Sequence, residues 1–204
     1  MKKISIILIL GAFLFPGTTI FAQCKQIIGD VSVLRGQTVI NLQYDYSNMA
    51  VGKYNNENDY VANRTADMNK RKAGDGDRWA EAWKNDRISR FQPMFEKNLN
   101  ERVGKYNVIC KEDATDAKYT LIIRTTFTEP GFNVGITRKN AWIKMDVDLV
   151  ETANPGTVLA SMQMKREDSI NMMGYDYDTG ARIQSAYDRA GEHLGNFLVK
   201  NALR

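Results

Sequence analysis

The chain has little of what enzyme and metal chemistry usually draws on: one histidine and two cysteines in 204 residues. A structural zinc site takes about four nitrogen or sulfur ligands at motif spacing, and His193, Cys24 and Cys110 have no such spacing. Neither a metal nor a cofactor is expected. A Ser-His-Asp triad would have to use His193, and no Gly-x-Ser-x-Gly elbow accompanies it. Asp176-Tyr177-Asp178-Thr179-Gly180 opens like a calcium loop, but Thr179 stands where a third oxygen ligand is wanted. Ala186 stands where the closing Glu belongs. Asp178 or Thr179 is instead expected to cap the final helix.

Long apolar runs are also missing once the N-terminus is passed. Met1-Lys2-Lys3, the short apolar core Ile4 to Phe15, the break at Pro16-Gly17 and the small residues before Phe21-Ala22 have the anatomy of a secretory signal peptide. Residues 1–22 are read as that leader and 23–204 as one domain; a retained anchor is the alternative. Lipidation of Cys24 is disfavoured, because Gln23 stands where a small residue is needed. Beyond the leader no stretch approaches the roughly 18 apolar residues of a membrane helix, so no integral membrane segment is expected. The implied location is periplasmic or secreted.

Charge of one sign is absent too. Without Lys2 and Lys3, 26 basic residues face 24 acidic ones, a net charge of +2, and the two signs are interspersed. That argues against a nucleic-acid partner. In an exported chain the two cysteines point to a Cys24–Cys110 disulfide, worth on the order of 4 kcal/mol for so long a loop; two unpaired thiols are the alternative.

What is present is a meander. Ala141, Ile143, Met145, Val147 and Leu149 alternate with Trp142, Lys144, Asp146 and Asp148, the period of a strand with one buried and one wet face. The strand before it places Tyr119, Leu121, Ile123 and Phe127 inside, with Thr120, Arg124 and Thr126 outside. The strand after it places Val158, Ala160, Met162 and Met164 inside. Asn154-Pro155-Gly156 is the expected turn between the last two. Thr38 to Tyr46 alternates likewise and Tyr106 to Cys110 predicts a short strand, while Ile27 to Leu34 is weakly extended. Residues 47–75 form a long irregular segment in which Tyr60 to Lys72 could be a polar helix. Trp79, Trp83, Ile88, Phe91, Phe95, Leu99 and Val103 mark a helix capped by Asp77, broken by Pro93 and closed by Gly104. Its Trp pair, four residues apart, reads first as packing. Ala181 to Leu203 is a second amphipathic helix, in which Gly191 and Gly195 permit close approach. The predicted class is α+β: a two-layer sandwich of a mainly antiparallel sheet of 4–5 strands, with two amphipathic helices on one face.

Ala117-Lys118-Tyr119-Thr120-Leu121-Ile122-Ile123, Met145-Asp146-Val147-Asp148-Leu149-Val150-Glu151 and Gly191 to Leu198, in this order of elements, resemble exported domains of the TolB amino-terminal type. They also resemble penicillin-binding-protein activator and curli-secretion lipoproteins. The chain is similar as well to uncharacterised secreted proteins of gut Bacteroidetes, in which Gln23 is a familiar mature start. The resemblance implies an adaptor that binds rather than transforms. Asp168-Ser169-Ile170 fits the O-glycosylation pattern of such exported proteins, making Ser169 a candidate.

Two functions follow. The first is a binding or envelope-assembly module for an envelope protein or polymer, docking through Trp142, Lys144, Asp146 and Arg124 on the open sheet face. The second is a cell-wall or glycan hydrolase using Asp146, Asp148 or Asp176. Neighbouring carboxylates on one exposed strand lack the cleft that glycoside hydrolysis needs.

Overall fold

The alternation of the meander becomes three long antiparallel strands in a computed structural model that describes residues 24–134, 136–170 and 178–204. The leader and Asp176 lie outside the described residues. The strands are β1 (Lys25–Gly29), β2 (Val39–Asp45), β3 (Ala50–Val51), β4 (Ile109–Glu112), β5 (Tyr119–Glu129), β6 (Phe132–Val134), β7 (Thr137–Lys139), β8 (Trp142–Glu151) and β9 (Asn154–Asp168). Seven of them form one sheet in the order β1-β9-β8-β5-β2-β4, with β3 alongside β5 beyond the end of β2; β6 and β7 make a separate hairpin. The meander pairs antiparallel, whereas β2 runs parallel to both β4 and β5.

The helices are α1 (Glu57–Arg71), α2 (Asp75–Asp86), α3 (Gln92–Val103) and α4 (Thr179–Leu198). Helices α3 and α4 lie together over the face carrying Ile40, Leu42, Leu121, Ile123, Ile143, Met145, Val147, Leu149, Ala160 and Met162, all buried. The layer arrangement is the expected one, with a sheet wider than 4–5 strands. Its centre is Tyr187, fully buried, whose hydroxyl bonds Thr125 Oγ1 at 2.6 Å and whose ring stacks on Phe91. Gly191 is what lets α4 reach α3: a Cβ there would stand 2.2 Å from the Phe95 carbonyl oxygen.

Several local expectations are corrected. Residues 47–75 are not irregular: they hold β3 and the 15-residue helix α1. Helix α2 starts at Asp75 with Gly74, in the left-handed region, as its cap, so Asp77 sits in the first turn. The break near Pro93 is a π-turn over Arg87–Phe91. Proline has no N–H for the carbonyl one turn back, and the widened turn accommodates that loss. The same turn shifts the helical phase and leaves Ile88 74 % exposed instead of in the core stripe. A bulge between Thr125 and Phe127 opposes two residues to one on β8 and turns Phe127 to the outer face beside Lys144. The β8–β9 turn is Thr152–Ala153, with Asn154 already in β9, and Val158 is 40 % exposed beside a register shift.

The disulfide is corrected by topology. Cys24 precedes β1 at one edge of the sheet and Cys110 lies on β4 at the other. Five strand spacings separate those edges, about 24 Å, against the 7 Å a disulfide tolerates. Both thiols are free. Asp178 does cap α4, accepting from Gly180 N at 2.9 Å. No helix among the described residues is long and apolar enough to cross a membrane.

Candidate functional site

The outer sheet face brings together the residues predicted for it, but it leaves them engaged with one another. Trp142 is flanked by Phe127 from β5, with ring centroids 4.5 Å apart, and by the Arg166 guanidinium from β9 at 4.9 Å. Those partners come from the strands on either side of β8, so the indole is not a free stacking platform. Lys144 lies 5.7 Å from the same ring. Arg124 pairs with Asp148 and, at 3.4 Å, with Asp45. Asp148 also accepts from Ser161, and Asp146 accepts from Gln163 at 2.9 Å. The carboxylates proposed for hydrolysis are thus engaged by side chains of the neighbouring strands. Helix α1 packs on α2 and not on this face. Ser169, the glycosylation candidate, is buried, with its N–H bonded to Ala141 O.

His193 faces a buried carboxylate. Its Nδ1 is 2.7 Å from Glu167 Oε2, and the Glu167 side chain is 0 % exposed. Burial raises the Glu167 carboxyl above its ordinary range, although His193 and Arg189 oppose the rise. Cys24 lies near enough to feel Glu167, and burial with that charge pushes its thiol up to about 12. A thiol held protonated is a poor nucleophile.

A cavity of about 450 Å³ adjoins Cys24 and His193, and a larger one lies where α1, the β3 turn and the β6–β7 hairpin meet. Helix α1 has no fully buried residue and is held by a few specific bonds. Asn56 caps it, accepting from Asp59 N at 2.9 Å. Glu57 in its first turn accepts from the Trp83 indole N–H at 2.6 Å and pairs with Arg87. Gly76 of α2 brings the backbones together, since a Cβ there would fall 2.1 Å from Thr65 O. This docking assembles a chain of rings: Tyr54 against Tyr60, Tyr60 against Trp79 and Trp83, with centroids 5.1–5.7 Å apart. Trp83 is buried; Trp79 is half-buried and opens into a cleft.

The cleft has a volume of about 540 Å³, within the range of roughly 300–1,000 Å³ typical of small-ligand sites. Tyr54, Tyr60 and Trp79 line it together with Phe132, Asn133 and Val134 of β6. The β3 turn is fixed by reciprocal backbone bonds between Val51 and Tyr54 and by Gly52 N to Thr128 O at 2.9 Å. Arg182 of α4 forms part of the lining, donating to the carbonyls of Pro130 and Gly131 and to Thr179 Oγ1. Among the described residues four cations and one carboxylate line the space, and that carboxylate, Glu129, is paired with Lys139 at 2.6 Å. Burial pushes the Tyr60 hydroxyl up to about 12, against the pull of Arg64, so it remains a neutral donor and acceptor. The cleft can therefore hold an apolar or sugar-like face against rings and an anionic group against cations.

In the sequence Trp79 belongs to the core stripe of a helix and Tyr60 to a segment expected to be irregular, so the cleft they share is not marked there. The available signal was Tyr60 and Arg64, four apart on one helical face, in a segment poor in aliphatic residues.

No family model matches the chain, and no curated protein matches it. Solved structures do. PelC from Paraburkholderia phytofirmans, a dodecamer, is 13 % identical over 81 % of this chain and 94 % of its own, with a TM-score of 0.35. A DUF330 protein from Xanthomonas campestris is 9 % identical over 82 % of this chain and 85 % of its own, also at 0.35. Neither bears the TolB, penicillin-binding-protein activator or curli-secretion name, so that resemblance rests on the quoted residues alone. At such scores the likeness fixes neither ligand nor activity.

Proposed function

We propose that this chain is an exported, non-catalytic binding module of the cell envelope, periplasmic or secreted after loss of residues 1–22, and that the ring-and-cation cleft is its ligand site. The observation that carries this reading is the cleft itself: aromatic side chains and cations converge on one concavity. The adaptor character implied by the TolB-type resemblance points the same way. Hydrolysis by Asp146 and Asp148 has less support, because both carboxylates are engaged by side chains of the neighbouring strands.

Affinity electrophoresis tests this. The mature protein is run through native gels cast with alginate, polygalacturonate, dextran or xylan, and is co-sedimented with purified sacculi. Retardation or sedimentation that is lost in Tyr54→Ala, with the polymer recovered at full length, is the expected result. Shortened polymer, or capture untouched by Tyr54→Ala but abolished by Trp142→Ala, overturns the reading.

A further inference from the structure

We infer that the cleft recognises a carboxylated glycan, a chain of uronic-acid-type sugars, with Arg64 and Lys53 meeting its carboxylates and the Tyr54–Tyr60–Trp79 cluster its ring faces. The inference rests on the cleft being the ligand site and adds the class of ligand.

Three features of the lining select this class. First, the rings belong to a mutually braced cluster, so their positions are set before any ligand arrives, and preorganised surface costs little entropy on binding. The C–H-rich face of a pyranose packs on such rings. Second, two of the lining cations, Arg64 and Lys53, stand at exposed positions. Glu129 is taken up by Lys139, whereas neither Arg64 nor Lys53 makes an ion pair among the described residues, and Lys53 Nζ lies 5.4 Å from the Tyr54 centroid. An arginine fork offers two parallel donors to a carboxylate. Third, the lining also holds a neutral group that can both donate and accept, the Tyr60 hydroxyl. Sugar hydroxyls need both donors and acceptors. A phosphodiester chain offers acceptors alone along its backbone and leaves the acceptor capacity of the lining unused. The chain's small net charge gives no wider basic field for nucleic acid either.

The experiment is calorimetric titration of the mature protein with three probes: tetragalacturonate, the same tetrasaccharide with its carboxyls reduced to galactose, and an oligothymidylate. Tetragalacturonate is expected to bind at least tenfold tighter than its reduced form, with affinity falling as salt rises. The Lys53→Gln/Arg64→Gln double variant should lose tenfold or more for tetragalacturonate while its weak affinity for the reduced form is unchanged. Both substitutions are at exposed positions, so an unaltered melting curve certifies the fold. Equal binding of the two saccharides, both weakened by Tyr54→Ala, would sink the carboxylate inference and leave the cleft as ligand site. Tetragalacturonate binding that neither Tyr54→Ala nor the double variant weakens would sink both. Tighter binding of oligothymidylate, or no binding of any probe, overturns the inference.

Discussion

Replacing Gly191 by alanine adds one methyl group where two helices touch backbone to backbone. The new Cβ would lie 2.2 Å from Phe95 O and 3.0 Å from its carbonyl carbon, and ordinary contact starts at 3.4 Å. Helix α4 must therefore retreat from α3 by about 1.2 Å at that point. The obstructing atoms are backbone, so no side chain can swing away. Overpacking of this kind costs about 1–3 kcal/mol, and a rigid carbonyl puts the site at the upper end. Alanine regains about 1 kcal/mol of helix propensity, leaving a net loss of about 2 kcal/mol. For a domain of this size about 1 kcal/mol moves Tm by 2–4 °C, so the melting temperature should fall by about 4–8 °C. Gly104→Ala is the control: its backbone is helical and nothing lies within 4 Å of the added carbon. The same chemical change should there leave Tm unchanged or raise it slightly. Calorimetry of the two variants beside the parent decides. A Gly191→Ala protein as stable as the parent would refute the α3–α4 contact.

Other consequences follow from single contacts. Glu57→Ala removes the acceptor of the Trp83 indole and the partner of Arg87, costing about 1–3 kcal/mol; amide exchange in α1 should quicken while that of β5 and β8 does not, and uniform exchange would contradict the account. Burial raises the Glu167 carboxyl in the folded state, so its share of stability is full below the ordinary carboxylate range and is lost as pH rises through the folded value. Glu167→Gln can still accept from His193 but cannot ionise. Its urea midpoint should gain on the parent's between pH 4 and pH 8, and a constant difference would refute the assignment. Burial pushes both thiols up to about 12, so iodoacetamide at pH 8 should barely label the native protein and should add two groups in urea without reductant. Absence of labelling in urea would restore the disulfide.

The strand faces of the meander could be read because burial imposes a period of two on Ile143, Met145, Val147 and Leu149. The partners of each strand could not. Alternation says which side of Ile40 and Leu42 is wet, but not that β2 lies parallel between β4 and β5, and it was this order that separated Cys24 from Cys110. Defects in periodicity were equally hidden: one extra residue near Thr126 turned Phe127 outward, and the π-turn at Arg87–Phe91 put Ile88 in solvent. The Trp79/Trp83 spacing shows the limit most clearly. One indole is buried packing, as expected; the other opens into a cleft whose next lining residues begin some fifty residues later at Glu129. A site made from α1, the β3 turn and a β-hairpin leaves no contiguous motif.

The protein carries its own reporters for the central claim, since each of its three tryptophans sits in a different environment. Trp79 lines the cleft, Trp83 is buried against Glu57, and Trp142 lies on the outer sheet face. A ¹H–¹⁵N spectrum of the indole N–H signals, followed during titration with tetragalacturonate, separates the sites directly. The Trp79 signal is expected to move and saturate while Trp142 stays fixed. Movement of Trp142 with Trp79 unchanged would place binding on the sheet face and contradict that claim.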